Sequence, residues 1–199
     1  MRIAFLGPEG TFSYFAGVEY LGHAAQFRPC SDITQVFQEV ASGQCELGVV
    51  PLENSLQGTV GVSFDLFLKY DVHIQAELFS RISHCLLSNA PSLAAVRTVY
   101  SHPQPLAQCA LFLRTELPDA EVQVATSTSA AVREVGASEE PWAALGPARA
   151  ASIYGCQVLR EGIEDETGNV TRFLWLAPRP QDERDDPQQV SPVPTSLMV

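Results

Sequence analysis

Short apolar runs alternate with stretches of helical periodicity along almost the whole chain, and that alternation confines it to the α/β class. Residues 2–6 read as a buried strand, broken by Gly7-Pro8-Glu9-Gly10. Phe12, Phe15, Val18 and Tyr20 or Leu21 then recur near helical spacing over 11–21. A short strand is expected at 25–28. Ser31 or Asp32 can cap a helix whose Ile33, Val36, Phe37 and Val40 make one apolar stripe, with Gly43 ending it. A third buried strand spans 47–51, and 60–68 reads as a helix with Val62, Leu66 and Phe67 turned inward. Residues 72–88 form a long extended run, the expected crossing between two lobes.

A second series of the same kind follows. Strands are expected at 99–101, 122–125 and 143–145, helices at 103–114, 127–135 and 147–154, and closing strands at 157–159 and 173–176. The expected architecture is two lobes of mostly parallel sheet flanked by helices, with a cleft between them. After Pro178 the chain turns polar, acidic and proline-rich, so 179–194 reads as a linker. Residues 195–199 (Thr-Ser-Leu-Met-Val) resemble the opening of another strand.

Composition excludes several function classes. Twelve Lys+Arg stand against 23 Asp+Glu, a net charge of −11 that repels nucleic-acid phosphates and anionic lipid. Lys69 is the only lysine, so imine chemistry would depend on that one residue. The five cysteines (30, 45, 85, 109, 156) and four histidines (23, 73, 84, 102) show no ligand spacing, and neither a disulfide framework nor a metal site is expected. Reduced thiols, a first apolar run too brief for a signal peptide and no stretch of about 20 apolar residues fit a cytoplasmic protein away from membranes.

Four segments interrupt the strand–helix pattern with small and hydroxyl residues. Gly7–Ser13 is a strand-to-helix turn, where Thr11 either caps the helix or joins its N–H groups in holding an anion. Val50–Val60 (Val-Pro-Leu-Glu-Asn-Ser-Leu-Gln-Gly-Thr-Val) is a long polar segment after a buried strand, where open α/β sheets place their ligand crevice. Ser101–Gln108 repeats the strand-end-into-helix arrangement, and Thr126-Ser127-Thr128-Ser129 opens a later helix; both suit plain caps as well as a site. Asn169–Phe173 contains Arg172, in a cation-poor chain either a carboxylate fork or a surface ion pair.

Taken together, these segments resemble the prephenate dehydratase family. The matching residues are 7–13 (GPEGTFS), 49–60 (VVPLENSLQGTV), 101–109 (SHPQPLAQC), 126–131 (TSTSAA) and 168–173 (GNVTRF). The resemblance covers residues 1 to about 178 and implies a periplasmic-binding-protein type II-like fold with the active site in the interlobe cleft, chain crossings near 72–80 and 164–172, lobe 1 at about 1–75 plus 170–178 and lobe 2 at about 76–169. It places the family's essential threonine at Thr171, and polar positions linked to activity at Asn54, Ser101 and Gln108. Substrate-lining positions fall at Thr11, Ser55, Thr59, Thr126, Ser127, Thr128, Arg172 and Phe173. Family members commonly carry a C-terminal ACT domain that binds phenylalanine; residues 195–199 resemble its first strand, so phenylalanine is expected to bind only through an ACT domain missing from this chain, and a homo-oligomer is expected.

The implied reaction is decarboxylating dehydration of prephenate to phenylpyruvate. Loss of carbon dioxide and hydroxide aromatises the ring, so the barrier lies in expelling a poor leaving group. A donor at that hydroxyl and anchors for the carboxylates suffice, with no cofactor or metal. An alcohol is about as weak an acid as water, whose pKa is about 15.7, so Thr171 suits a positioned donor, with Glu53 or His102 as proton sources. Arogenate dehydration and a non-catalytic binding module on the same fold are the competing readings.

Overall fold

The structure, a computed structural model, describes residues 1–22 and 24–180. In chain order its elements are β1 (Arg2–Leu6), α1 (Phe12–Leu21), β2 (Gln26–Cys30), α2 (Ile33–Ala41), β3 (Leu47–Asn54), β4 (Gly58–Thr59), α3 (Gly61–Phe67) and β5 (Val72–Arg81). There follow β6 (Cys85–Ser88), β7 (Thr98–Ser101), α4 (Pro103–Gln108), α5 (Ala110–Glu116), β8 (Glu121–Val124), α6 (Thr128–Ala137), β9 (Trp142–Gly146), α7 (Ala150–Tyr154), β10 (Gln157–Arg160) and β11 (Val170–Pro178). Most of the expected linker and all of the 195–199 fragment lie outside the described residues.

The chain divides into two compact units, one of 1–81 with the segment from Val170 onward, the other of Ile82–Asn169. The division falls after β5 and not at 75/76, because all of β5 is paired with β11, from Val72↔Pro178 to Arg81↔Val170.

In the first unit the strand order is β2-β1-β3-β11-β5, with β4 folded back on β3. The pairs of β1 with β2 and β3 are parallel, whereas β11 runs antiparallel to both β3 and β5. Its side chains alternate strictly: Phe173, Trp175 and Ala177 enter the core beneath α1, and Leu174 and Leu176 the core beneath α2 and α3. The second unit has the order β10-β6-β9-β7-β8, parallel at β7/β8 and β7/β9 and antiparallel at β6/β9 and β6/β10. Both sheets are therefore mixed, where mostly parallel pairing was expected. The strands that run against the rest are β11 and β4 in one sheet and β6 in the other.

Two helices depart from their expected form. In α3, Ser63 and Leu66 are buried, while Val62 is exposed and Phe67 packs at the core edge, so Val62 was assigned to the wrong face. The stretch expected as one helix over 103–114 breaks at Cys109, whose φ and ψ are −116° and 20°. Asp165 causes the break: its N–H takes the Gln108 carbonyl at 2.7 Å, and its carboxylate accepts from Leu111 N–H at 3.1 Å, capping α5.

Candidate active site

In the first unit, the end of β3 meets the start of β11. Thr171 pairs with Asn54 and Arg172 with Glu53, but Phe173 pairs with Pro51, so Leu52 is an extra residue in β3. Leu47 and Val49 lie beneath α1, and Val50 and Leu52 on the opposite face. Simple alternation would send Asn54 to the Leu52 side. The bulge instead turns Asn54 to the α1 face beside Thr171, the re-aiming for which such insertions are used.

Asn54 and Thr171 are both buried, and Asn54 Nδ2 donates to Thr171 Oγ1 at 2.8 Å. The amide orientation is fixed by its other end, because Oδ1 accepts the N–H groups of Leu56 and Gln57, each at 3.1 Å. An oxygen bound to two N–H donors leaves the NH2 group facing the threonine, so Thr171 Oγ1 accepts and keeps its own proton to donate elsewhere. Ser55 closes the strand ends: its N–H donates to the Val170 carbonyl and its Oγ accepts from Val170 N–H, both at 2.9 Å. On the same face stands α1, with Thr11 capping it. Thr11 Oγ1 accepts from Tyr14 N–H at 3.1 Å and donates to the Leu6 carbonyl at 3.0 Å.

The opposite face holds a separate group. Arg172 Nε donates to Glu77 Oε2 at 2.7 Å, and Nη2 reaches the same oxygen. The guanidinium carbon lies 5.9 Å from the centre of the Phe79 ring. Glu53 pairs in register with Arg172 and Thr59, so it too stands away from Thr171.

In the second unit, His84 is buried and its Nε2 lies 2.9 Å from Gln108 Oε1. Burial pushes the imidazole below its ordinary pKa, opposed by the Gln108 hydrogen bond and by Glu164. Glu164 Oε2 accepts from the His84 N–H at 2.9 Å and the Ser83 hydroxyl at 3.3 Å. Burial also pushes the Cys109 thiol up to about 12, helped by Asp165 and Glu164. Ser101 is fully buried at the end of β7 and donates to the Leu145 carbonyl at 3.4 Å, tying β7 to β9. His102 caps α4, its Nδ1 accepting from Gln104 N–H at 3.4 Å, and Ser127 caps α6, accepting from Ala130 N–H at 3.0 Å. No cluster of metal-binding side chains occurs among the described residues, and none of their helices is long and apolar enough to cross a membrane.

The family model that matches this chain is that of prephenate dehydratase, over residues 3–181. The chain belongs to the prephenate dehydratase family. It is 39% identical over 179 residues to a bifunctional chorismate mutase/prephenate dehydratase of Aquifex aeolicus, covering 90% of this chain and 49% of that protein. The prephenate dehydratase of Arthrobacter aurescens, solved in complex with L-Phe, superposes with a TM-score of 0.81 at 29% identity, covering 90% of this chain and 61% of that one. GqqA, described as a novel type of quorum-quenching acylase, superposes at 0.80 with 32% identity, covering 91% and 65%. The chain spans about half the length of the bifunctional relatives it matches.

Within this prephenate dehydratase fold, the residues singled out from sequence fall into distinct places. Thr171 and Asn54 are joined directly and Ser55 closes the same strand ends, while Thr11 caps α1 from the turn after β1. Phe173 is a correction: it is only 2% exposed, buried between Ile3, Phe5, Leu78 and Trp175, and is core and not lining. The Arg172 guanidinium is engaged by Glu77 on the face away from Thr171. Glu53 shares that face, which removes it as a proton source for Thr171. His102 Nδ1 and the Ser101 hydroxyl hold backbone. Thr59 and Thr126 are exposed and Thr128 is half-buried. Sequence reasoning missed Glu77, His84 and Glu164, none of which lies within a matched segment.

Proposed function

We propose that the chain catalyses the decarboxylating dehydration of prephenate to phenylpyruvate, water and carbon dioxide. The observation that carries this reading is the buried Asn54–Thr171 hydrogen bond, which leaves the threonine proton as an oriented donor. The bond to the departing carboxyl breaks and its electron pair enters the ring. The ring aromatises and expels the hydroxyl, which leaves as water after gaining one proton. Thr171 stabilises the negative charge that builds on that oxygen, and a pre-aimed donor needs no reorganisation as it does so. The proton itself comes from solvent, since the threonine hydroxyl is too weak an acid to supply it.

Gln108, Thr126 and Thr128 are the polar residues of the second unit that we assign to substrate carboxylate or carbonyl. The N-terminal end of α1, on the sheet face that carries Thr171, adds partial positive charge without adding a cation to an acidic chain. Phenylpyruvate carries the carbon skeleton of phenylalanine, which places the reaction in phenylalanine biosynthesis.

The test is to incubate the purified chain with prephenate or arogenate and follow phenylpyruvate or phenylalanine. Phenylpyruvate from prephenate supports the reading. Turnover of arogenate alone reassigns the substrate, and no turnover of either leaves a binding module.

A further inference from the structure

Gln108 ends α4, and it is gripped at two points from distant parts of the second unit. Its carbonyl accepts the Asp165 N–H at 2.7 Å, and its side-chain oxygen meets His84 Nε2 at 2.9 Å. The histidine is held in its turn: it is 2% exposed, and its backbone N–H donates to Glu164, the residue preceding Asp165. One short segment, 164–165, thus fixes both partners of the side-chain bond. Gln108 Nε2, by contrast, makes no hydrogen bond to the described residues, and the side chain is half-buried.

An amide oxygen can only accept, so the 2.9 Å contact requires a proton on His84 Nε2. We propose that His84 is a positioning residue: its Nε2–H holds the Gln108 carboxamide in one orientation, oxygen inward and NH2 outward as a donor for substrate. Without His84 the amide could flip by half a turn and present an acceptor to a dianionic substrate, which would repel it. The neutral ring suits the role, because a second ring proton would add a buried charge without improving the grip. The proposal rests on the reading that Gln108 belongs to the dehydratase machinery, but its first test does not.

That first test is nitrogen-15 NMR of the histidine rings in the intact chain. The expected result is a neutral His84 in the Nε2–H tautomer, with the Nε2 proton protected from exchange and losing that protection in Gln108→Leu. An Nδ1–H tautomer, or protection unchanged in Gln108→Leu, overturns the proposal even if prephenate is not the substrate.

The second test is kinetic. His84→Leu removes the donor, and misplacing one oriented group is expected to cost about 10²-fold in kcat. His84→Gln, whose amide nitrogen reaches the same point, should retain most of the activity; a purely steric role would not distinguish a donor from leucine in this way. Adding His84→Leu to Gln108→Leu should cost nothing more. Multiplying losses, or a folded His84→Leu with normal kcat, overturns the proposal. Should His84→Leu fail to fold, His84→Gln and the NMR comparison still decide it.

Discussion

Replacing Asn54 by aspartate changes one NH2 group to oxygen and almost nothing in shape. The new carboxylate keeps the two acceptor bonds to Leu56 and Gln57 N–H, now charge-assisted, so the turn after β3 should stay formed. At Thr171 the sense of the bond reverses. An ionised aspartate can only accept, and the threonine must point its single proton at residue 54 instead of at substrate. The residue pair is buried, at 9% and 7% exposure, so water cannot substitute for the lost donor. Pulling the proton back means breaking a charged hydrogen bond worth about 1.5–3 kcal/mol. Loss of one preorganised donor costs about 10²–10³ in kcat, and the same range is expected here. The assay is steady-state phenylpyruvate formation from prephenate, with circular dichroism as a check on folding. A folded Asn54→Asp protein with near-normal kcat would refute the claim that Asn54 directs the Thr171 proton.

Three further outcomes are expected. Arg172→Lys should lower the melting temperature and leave KM for prephenate nearly unchanged, because the two-nitrogen grip on Glu77 is lost on the face away from Thr171; a raised KM at unchanged stability would contradict this. Phe173→Ala should destabilise the chain by about 3–5 kcal/mol, read by denaturant titration, as expected for a large aromatic removed from a packed core. The unfolded chain takes a proton at His84 below pH ~6.5 while burial resists it in the fold, so stability should fall as pH drops below that point, by at most about 1.4 kcal/mol per pH unit. His84→Gln should show a smaller acid loss of melting temperature than the unaltered chain.

Much of the fold could be read from local pattern, because strands and amphipathic helices announce themselves in windows of a few residues. Thr11, Asp32 and Ser127 each cap the helix their position suggested. What could not be read depends on pairings remote in sequence. The insertion of β11 between β3 and β5 brings residues from opposite ends of the chain together and makes the sheet mixed. Thr171 and Asn54 were both named from sequence, yet their contact spans 117 positions and depends on a bulge that no local signal marks. A motif gives order along a strand and not which face each residue takes, so neither the burial of Phe173 nor the Arg172–Glu77 pair could be read from it. The His84–Gln108 contact joins an extended run to a helix end, and nothing in either segment marks the other.

In the proposed reaction the Thr171 hydroxyl, aimed by Asn54, drives loss of the prephenate hydroxyl. The most direct measurement is kcat for phenylpyruvate formation by Thr171→Val and Thr171→Ser beside the unaltered chain. Valine keeps the branched shape without the donor, and should lose about 10²–10³ in kcat. Serine keeps the hydroxyl but frees its rotation, and should fall between the two. A folded Thr171→Val protein turning over prephenate at the rate of the unaltered chain would contradict the account.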